Sequence, residues 1–308
     1  MSFSHLQKWY FDLLTSSGDA LYFYFITLRV ASLKRGMASA HLVFADRTEV
    51  RSFVRTRFAA LQPNGNLRLG RHSFSNHKDF VDVHMEFDNL ALDLRYSTLV
   101  GPWQPAAEGI LWQKNQKRLG WRVPQPEARV EGTIAFGSQK IFAAGLGYQD
   151  IVETNIPPWN LPITELLWGR AHCDGHAIVF NQIKTREGEV LQYIMLRRAS
   201  EPRRDEPCCD NSKDAFLLSR DEQDGVTTIA HKSFTLTLRR RFIIEESRIS
   251  TQERFKSKLV RRFLDRTCGS PEEKKMVSEA VLQLDGRTYR GQALHERACW
   301  HWKKQEQA

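Results

Sequence analysis

Apolar and polar residues alternate with period two along most of this chain, and that pattern predicts strands. The clearest case runs Val81-Asp-Val-His-Met-Glu-Phe87, Asp88-Asn89, Leu90-Ala-Leu-Asp-Leu-Arg-Tyr96. Val81, Val83, Met85 and Phe87 share one face of the first run, and Leu90, Leu92, Leu94 and Tyr96 share one face of the second. A two-residue turn at Asp88-Asn89 sets Met85 against Leu92, Val83 against Leu94 and Val81 against Tyr96. The opposite face then pairs His84 with Asp93 and Asp82 with Arg95, so apolar packing and charge agree on one register. Further strands are predicted at 21–28, 40–44, 49–58, 128–136, 177–182, 190–196, 227–238 and 280–284. Turn signals stand at Asn64-Gly65 and Asp285-Gly286. Many short strands with turns between them predict an all-β barrel or sandwich architecture.

One segment departs from this pattern. Across residues 251–267, Phe255, Leu259, Val260 and Phe263 recur at helical spacing among arginines and lysines, and Cys268-Gly269 supplies a C-cap. A basic amphipathic helix is expected there. Ser270-Pro271-Glu272-Glu273 reads as the start of another helix, with a serine cap, proline in the first turn and glutamate three residues on. Residues 201–214 read as a polar loop punctuated by proline.

Charge narrows the choice of partners. Over 308 residues, 45 Lys+Arg stand against 36 Asp+Glu, a net charge of +9 and a pI near 9.4. The excess gathers at Arg239-Arg-Arg241 and in 254–262. Such a balance favours acidic partners. The helix at 251–267 fits an anionic membrane surface with its phenylalanines inward, or else a cover over one end of a barrel. Nucleic acid is not expected, because the aromatics fall in strand interiors and no binding motif accompanies the charge. Five cysteines without C-x-x-C spacing disfavour a disulfide framework and a zinc ribbon. The first eight residues lack the apolar core of a signal peptide, and the apolar run at 20–28 is too short to span a bilayer. A cytoplasmic protein is expected, peripheral to the inner face of a membrane if the basic helix docks there.

The absence of a P-loop, a Gly-x-Gly-x-x-Gly, a nucleophile elbow and a kinase signature disfavours nucleotide-dependent and acyl-transfer chemistry, and no cofactor is expected. No metal site is expected either. The histidines show no H-x-H or H-E-x-x-H spacing, and His172 and His176 flank Asp174-Gly175, which favours a turn.

The candidate chemistry lies at mid-chain, in Gly145-Leu-Gly-Tyr-Gln-Asp150, Ile151-Val-Glu153 and, past Pro157-Pro158, Leu167-Trp-Gly-Arg-Ala171. A carboxylic acid among aromatic rings can protonate a carbon–carbon double bond, and the ring faces tolerate the cation that follows. Asp150 and Glu153 are the candidate acids. Their odd spacing puts them on opposite faces of a strand unless a bulge before Pro157 joins them. A dry site would hold one of them protonated. The competing reading is a carboxylate paired with Arg170 or capping amides at the strand end. Tyr148, Trp159 and Trp168 are candidate pocket walls, with ordinary core as the competing role. Arg170 and Glu296 are candidate substrate contacts, and His295 and Glu296 point to opposite faces of a closing strand. Trp9, Tyr10 and Asp12 read as entry to the first strand, with a structural role for Asp12.

Several motifs taken together resemble a known family. They are Trp9-Tyr-Phe-Asp12, Trp121-Arg-Val-Pro124, Ala128-Arg-Val-Glu131, Gly147-Tyr-Gln-Asp150, Trp168-Gly-Arg-Ala171, and Gly291-Gln-Ala-Leu-His-Glu296 before Trp300. Their order and spacing are similar to those of carotenoid hydratase (hydroxyneurosporene synthase) and the AttH-like lipocalin proteins, and more distantly the fungal Diels–Alderases. The resemblance implies two tandem lipocalin-like domains, 9–156 and 157–304, joined near 156–160, with a helical insertion at about 251–278 and an apolar pocket. Related proteins act on polyene and isoprenoid-like substrates by hydration, cyclisation or cycloaddition. The family pattern at the centre is Tyr-x-Asp-His-x-Trp. Tyr148 and Asp150 match it, while Ile151 stands at the histidine position and Glu153 at the tryptophan position. The function these features imply is a cofactor-independent enzyme acting on a C=C bond of a hydrophobic isoprenoid or polyene. A carrier that binds a hydrophobic small molecule without chemistry is the alternative.

Overall fold

Along the first strand Trp9, Phe11 and Leu13 alternate with Lys8, Tyr10 and Asp12. The apolar set joins a large hydrophobic cluster, whereas the polar and amphipathic set faces the other way. The computed structural model describes residues 4–56, 60–62, 65–198, 208–210, 215–248 and 269–302. Among these the chain divides into two compact units, with the break between Ile156 and Pro157. No helix among the described residues is long and apolar enough to cross a membrane.

The first unit is one antiparallel sheet. Its strands are β1 (Ser4–Thr15), β2 (Ala20–Val30), β3 (Leu33–Val43), β4 (Glu49–Thr56), β5 (Ala60–Leu61), β6 (Leu67–Leu69), β7 (His72–Asn76), β8 (Phe80–Glu86), β9 (Leu90–Val100), β10 (Ile110–Lys114), β11 (Lys117–Phe136) and β12 (Gln139–Thr154). They lie in the order β4-β3-β2-β1-β12-β11-β9-β8-β7-β6-β5, with β10 beside β11. The sheet curls until β3 meets β6 and β4 meets β9. Asn89 fastens that closure: its Nδ2 donates to the Arg51 carbonyl at 3.1 Å and its Oδ1 accepts from Ser52 Oγ. Phe11, Phe23, Phe25, Phe74 and Tyr96 fill the interior.

The β8–β9 hairpin adopts the expected register, with Val81, Val83 and Met85 opposite Tyr96, Leu94 and Leu92, and with Asp82 and His84 opposite Arg95 and Asp93. Strand β11 carries register shifts between Arg122 and Ala128. Pro124 and Pro126 fall there, and a residue without an N–H cannot hold its place in a ladder.

The second unit is a nine-stranded antiparallel sheet. It comprises β13 (Ile163–Cys173), β14 (His176–Thr185), β15 (Val190–Arg198), β16 (Cys208–Asp210), β17 (Leu217–Asp221), β18 (Val226–His231), β19 (Phe234–Arg248), β20 (Glu272–Leu284) and β21 (Arg287–Cys299). The order is β16-β15-β14-β13-β21-β20-β19-β18-β17 around a core that includes Phe180, Ile194, Leu236 and Leu282. The protein is therefore all-β, built from two curled, barrel-like sheets in tandem.

Local expectations need correction in three places. The run 227–238 is two strands, because Lys232 and Ser233 turn the chain between β18 and β19. The expected helix start at Ser270 is instead the entry to β20: Ser270 has φ of +39° and strand pairing begins at Glu272. Glu273 and Lys275 are buried there and alternate with Glu272 and Lys274, a period-two pattern hidden because all four residues are charged. Within the expected loop 201–214, Cys208–Asp210 pairs with β15. The helix expected at 251–267, with its proposed membrane contact, lies outside the described residues. Turns at Asp174-Gly175 and Asp285-Gly286 are present, all four residues having positive φ.

Candidate functional site

Two residues apart on β12, Tyr148 and Asp150 project from the same side of the sheet, away from the apolar interior. The glycines of the Gly-Leu-Gly-Tyr motif permit this arrangement. A Cβ on Gly147 would lie 2.5 Å from the Asp12 carbonyl oxygen and 2.7 Å from the Tyr96 ring. Tyr96 crosses that gap to donate its hydroxyl to the same carbonyl at 3.1 Å. Strands β1 and β12 thus approach closely, with Tyr10 directly opposite Asp150 and Asp12 opposite Tyr148.

Asp150 is 5% exposed. Two donors converge on its Oδ2, Trp121 Nε1–H at 3.1 Å and the Tyr148 hydroxyl at 3.0 Å. Trp121 comes from β11 just before the proline-broken stretch, and Trp103 packs edge-on against it at 5.4 Å. The rings of Tyr24 and Tyr148 lie 5.4 and 6.1 Å from that of Tyr10. The Lys8 ammonium sits 4.1 Å from the centre of the Tyr24 ring.

Burial dominates the electrostatics and pushes the Asp150 carboxyl up to about 7. Lys8 and the two hydrogen bonds oppose the shift, and the negative charge of Asp12 adds to it. A carboxyl with that value holds a proton for part of the time at neutral pH, which suits a general acid. The surrounding tyrosine and tryptophan rings suit a developing cation.

Glu153 does not belong to this cluster. It emerges on the opposite face, as the odd spacing requires, against His5 at 3.1 Å, Arg118 at 3.1 Å and Arg122 at 3.8 Å. Burial raises its carboxyl, but those partners prevail and hold it below the ordinary range. An ionised, guanidinium-bound carboxylate has no proton to give, so Glu153 is corrected from candidate acid to structural anion. Ile151, at the histidine position of the family pattern, packs on the apolar cluster.

The remaining candidates lie in the second unit. Trp168 is directly opposite Glu296, which is directly opposite Lys275. Lys275 is fully buried and bonds Glu273 at 3.0 Å and Glu296. Arg170 shares that face and is 3% exposed. Between Trp168 and Arg170, Gly169 is required because a Cβ would strike Phe180 at 2.3 Å. Trp159 lies in a single 3-10 turn, Pro158–Asn160, where its carbonyl accepts from Arg186. His295 turns inward and meets Ser278 at 2.7 Å, and burial pulls its imidazole down to about 4.

Trp121, Lys8 and Tyr10 complete the Asp150 cluster. The i, i+2, i+4 spacing of Lys8, Tyr10 and Asp12 is the signal that could have grouped three of these neighbours. Hollows of about 590, 400 and 200 Å³ on the first unit are lined by other residues.

No family model matches the chain, and no curated protein sequence matches it. Solved structures do. NE1406 of Nitrosomonas europaea, provisionally assigned as an AttH, superposes with a TM-score of 0.64 at 16% identity, over 94% of this chain and 92% of that one. CghA in complex with Sch210972 gives 0.66 at 14% identity over 97% and 89%. Kievitone hydratase of Nectria haematococca gives 0.64 at 9% identity over 98% and 90%. The chain has their fold. At these identities the likeness concerns architecture, and the AttH-like, lipocalin-like resemblance drawn from the motifs stands on that level.

Proposed function

We propose that this AttH-like protein is an enzyme that adds a proton to a carbon–carbon double bond of a hydrophobic isoprenoid or polyene, with Asp150 as the acid. The observation that carries the reading is the Asp150 carboxyl, 5% exposed, bonded by Trp121 and Tyr148 and raised to about 7. Proton transfer from the Asp150 carboxyl to an alkene carbon leaves an Asp150 carboxylate and a carbocation. Water adding to the cation, with loss of its own proton, completes a hydration. Capture by a second double bond and loss of a proton completes a cyclisation instead. Tyr148 and Trp121 hold the carboxylate after it has given its proton, and the faces of Tyr10 and Tyr148 stabilise positive charge. The organic step calls for no cofactor. A fold shared with kievitone hydratase supports the hydration form of the reading.

Trp168, Arg170, Glu296 and Trp159 remain proposed substrate contacts, and peripheral membrane association through residues 251–267 remains a proposal for locating a lipophilic substrate. The test is incubation with kievitone and, separately, with neurosporene, followed by mass spectrometry for the gain of one water or an isomeric product. Product formation that Asp150→Asn abolishes supports the reading. Retention of the added compound without conversion would leave the protein as a carrier.

A further inference from the structure

Across the sheet from Asp150, a second chain of hydrogen bonds runs out to solvent. The Tyr22 hydroxyl on β2 meets His41 Nδ1 on β3 at 2.7 Å, and His41 Nε2 meets Glu49 Oε2 on β4 at 2.9 Å. The Glu49 side chain is 47% exposed and that of His41 only 6%. Tyr22 is directly opposite Asp12 on β1, and Asp12 is directly opposite Tyr148 on β12. Directly paired residues have their Cβ atoms about 5 Å apart on the same face. One cross-strand row therefore holds His41, Tyr22, Asp12 and Tyr148, and the Tyr148 hydroxyl donates to Asp150. Asp12 and Tyr148 are fully buried and Tyr22 is 3% exposed, so the row lines up register neighbours between a half-exposed carboxylate and a buried one, with hydrogen bonds at its two ends.

We propose that Glu49, His41, Tyr22, Asp12 and Tyr148 form a proton relay that recharges Asp150 from solvent. The surroundings of His41 suit transfer in both directions. When Nε2 carries hydrogen it donates to Glu49; when Nε2 is bare, Arg51 Nε stands 3.1 Å away to donate to it. Either tautomer has a partner at that nitrogen, while Nδ1 meets a hydroxyl that can donate or accept. The charged and titratable groups facing His41 are Tyr22 from β2 and Glu49 and Arg51 from β4; those facing the inner end are Lys8, Tyr10 and Asp12 from β1. Burial pushes Glu49 up, yet its hydrogen bonds to His41 and Arg51 prevail and hold it below the usual carboxylate range, so it stays ionised at the mouth of the row. Glu49 and Asp12 start as carboxylates, so each takes a proton from its outer neighbour before passing one inward; His41 and Tyr22 give up the proton they hold as they receive another, and Tyr148 gives its hydroxyl proton to Asp150 as it takes the one from Asp12. One proton leaves water and one reaches the Asp150 carboxylate, and no bond to carbon changes.

The relay rests on Asp150 taking up a proton, as the proposed function requires, but its test needs no substrate. The purified full chain is held at about pH 8.5, and a laser-released caged proton drops it to about pH 6, either side of the Asp150 value of about 7. Infrared absorption of the protonated carboxyl is followed in time and assigned to Asp150 by its loss in Asp150→Asn. The band is expected to rise at least tenfold more slowly in Tyr22→Phe and Glu49→Gln. In His41→Gln it slows as well, and added imidazole restores the rate in proportion to its concentration, which a purely structural histidine would not show. Glu49→Gln lies at the surface and keeps the test open if the buried variants fail to fold. Unchanged rates in Tyr22→Phe and Glu49→Gln, or no Asp150 band in this pH range, would overturn the relay. A fast, relay-dependent band in a protein that converts neither kievitone nor neurosporene would refute the proposed substrate reading alone.

Discussion

Replacing Asp150 by asparagine should make the protein less sensitive to alkali, by an amount that follows from its burial. The folded carboxyl titrates at about 7 against an ordinary value of 3.8. Between those values the folded chain binds the proton and the unfolded chain does not, so stability falls as pH rises through this range. Above about 7 both states are ionised and the full cost of the buried charge is present; below 3.8 both are protonated and the cost vanishes. At about 1.4 kcal/mol per pH unit, the total is about 4 kcal/mol. Asparagine keeps the shape and can still accept from Trp121 and Tyr148, but it carries no charge. Relative to wild type, Asp150→Asn should therefore gain about 3 kcal/mol between pH 5 and pH 8. Urea unfolding of both proteins at each pH, followed by fluorescence and circular dichroism, measures this difference. A gap between variant and wild type that is the same at pH 5 and pH 8 would refute the claim that Asp150 is held protonated by desolvation.

Other positions give independent checks. Lys8→Met removes the cation that opposes the Asp150 shift and should move its titration midpoint further up, read by carbon NMR of labelled aspartate. Gly147→Ala forces a methyl against Tyr96 and the Asp12 carbonyl and should cost about 1–3 kcal/mol in thermal or urea unfolding. Glu153→Gln should leave product formation intact, since its carboxylate serves Arg118, Arg122 and His5; loss of turnover comparable to that in Asp150→Asn would contradict this assignment. In the second unit, burial raises Glu165, but Lys184 and Arg220 outweigh it and depress the carboxyl to about 2 from 4.5. Its contribution of about 3 kcal/mol is present above pH 4.5 and lost as pH falls toward 2, so Glu165→Gln should destabilise at pH 7 and converge with wild type in acid.

Much of the fold was legible wherever both faces of a strand carried information. In the β8–β9 hairpin apolar residues and opposite charges specified the same pairing, and the structure has it. Legibility failed where burial and polarity were uncoupled. Glu273 and Lys275 are inside the protein because they neutralise each other, and a charged run behind Ser-Pro looks like a helix start. The site divides in the same way. Tyr148 and Asp150 share a face by i, i+2 spacing, and Glu153 leaves it by its odd offset, both readable from the chain. Trp121, 29 residues before Asp150, reaches it only because β11 pairs with β12. Tyr22, His41 and Glu49 carry no motif spacing; only the β2–β3–β4 register aligns them. Gly147 and Gly169 stood out in the sequence as parts of motifs, but close packing against Tyr96 and Phe180 is what requires them.

The most direct test of the central claim is the equilibrium titration of the Asp150 carboxyl itself, by carbon NMR of aspartate-labelled protein with Asp150→Asn as the assignment control. One carboxyl titrating near 7 and missing from the variant is the predicted result. An Asp150 signal that titrates in the ordinary carboxylate range, near 4, would contradict it, and with it both the acid and the relay that serves it.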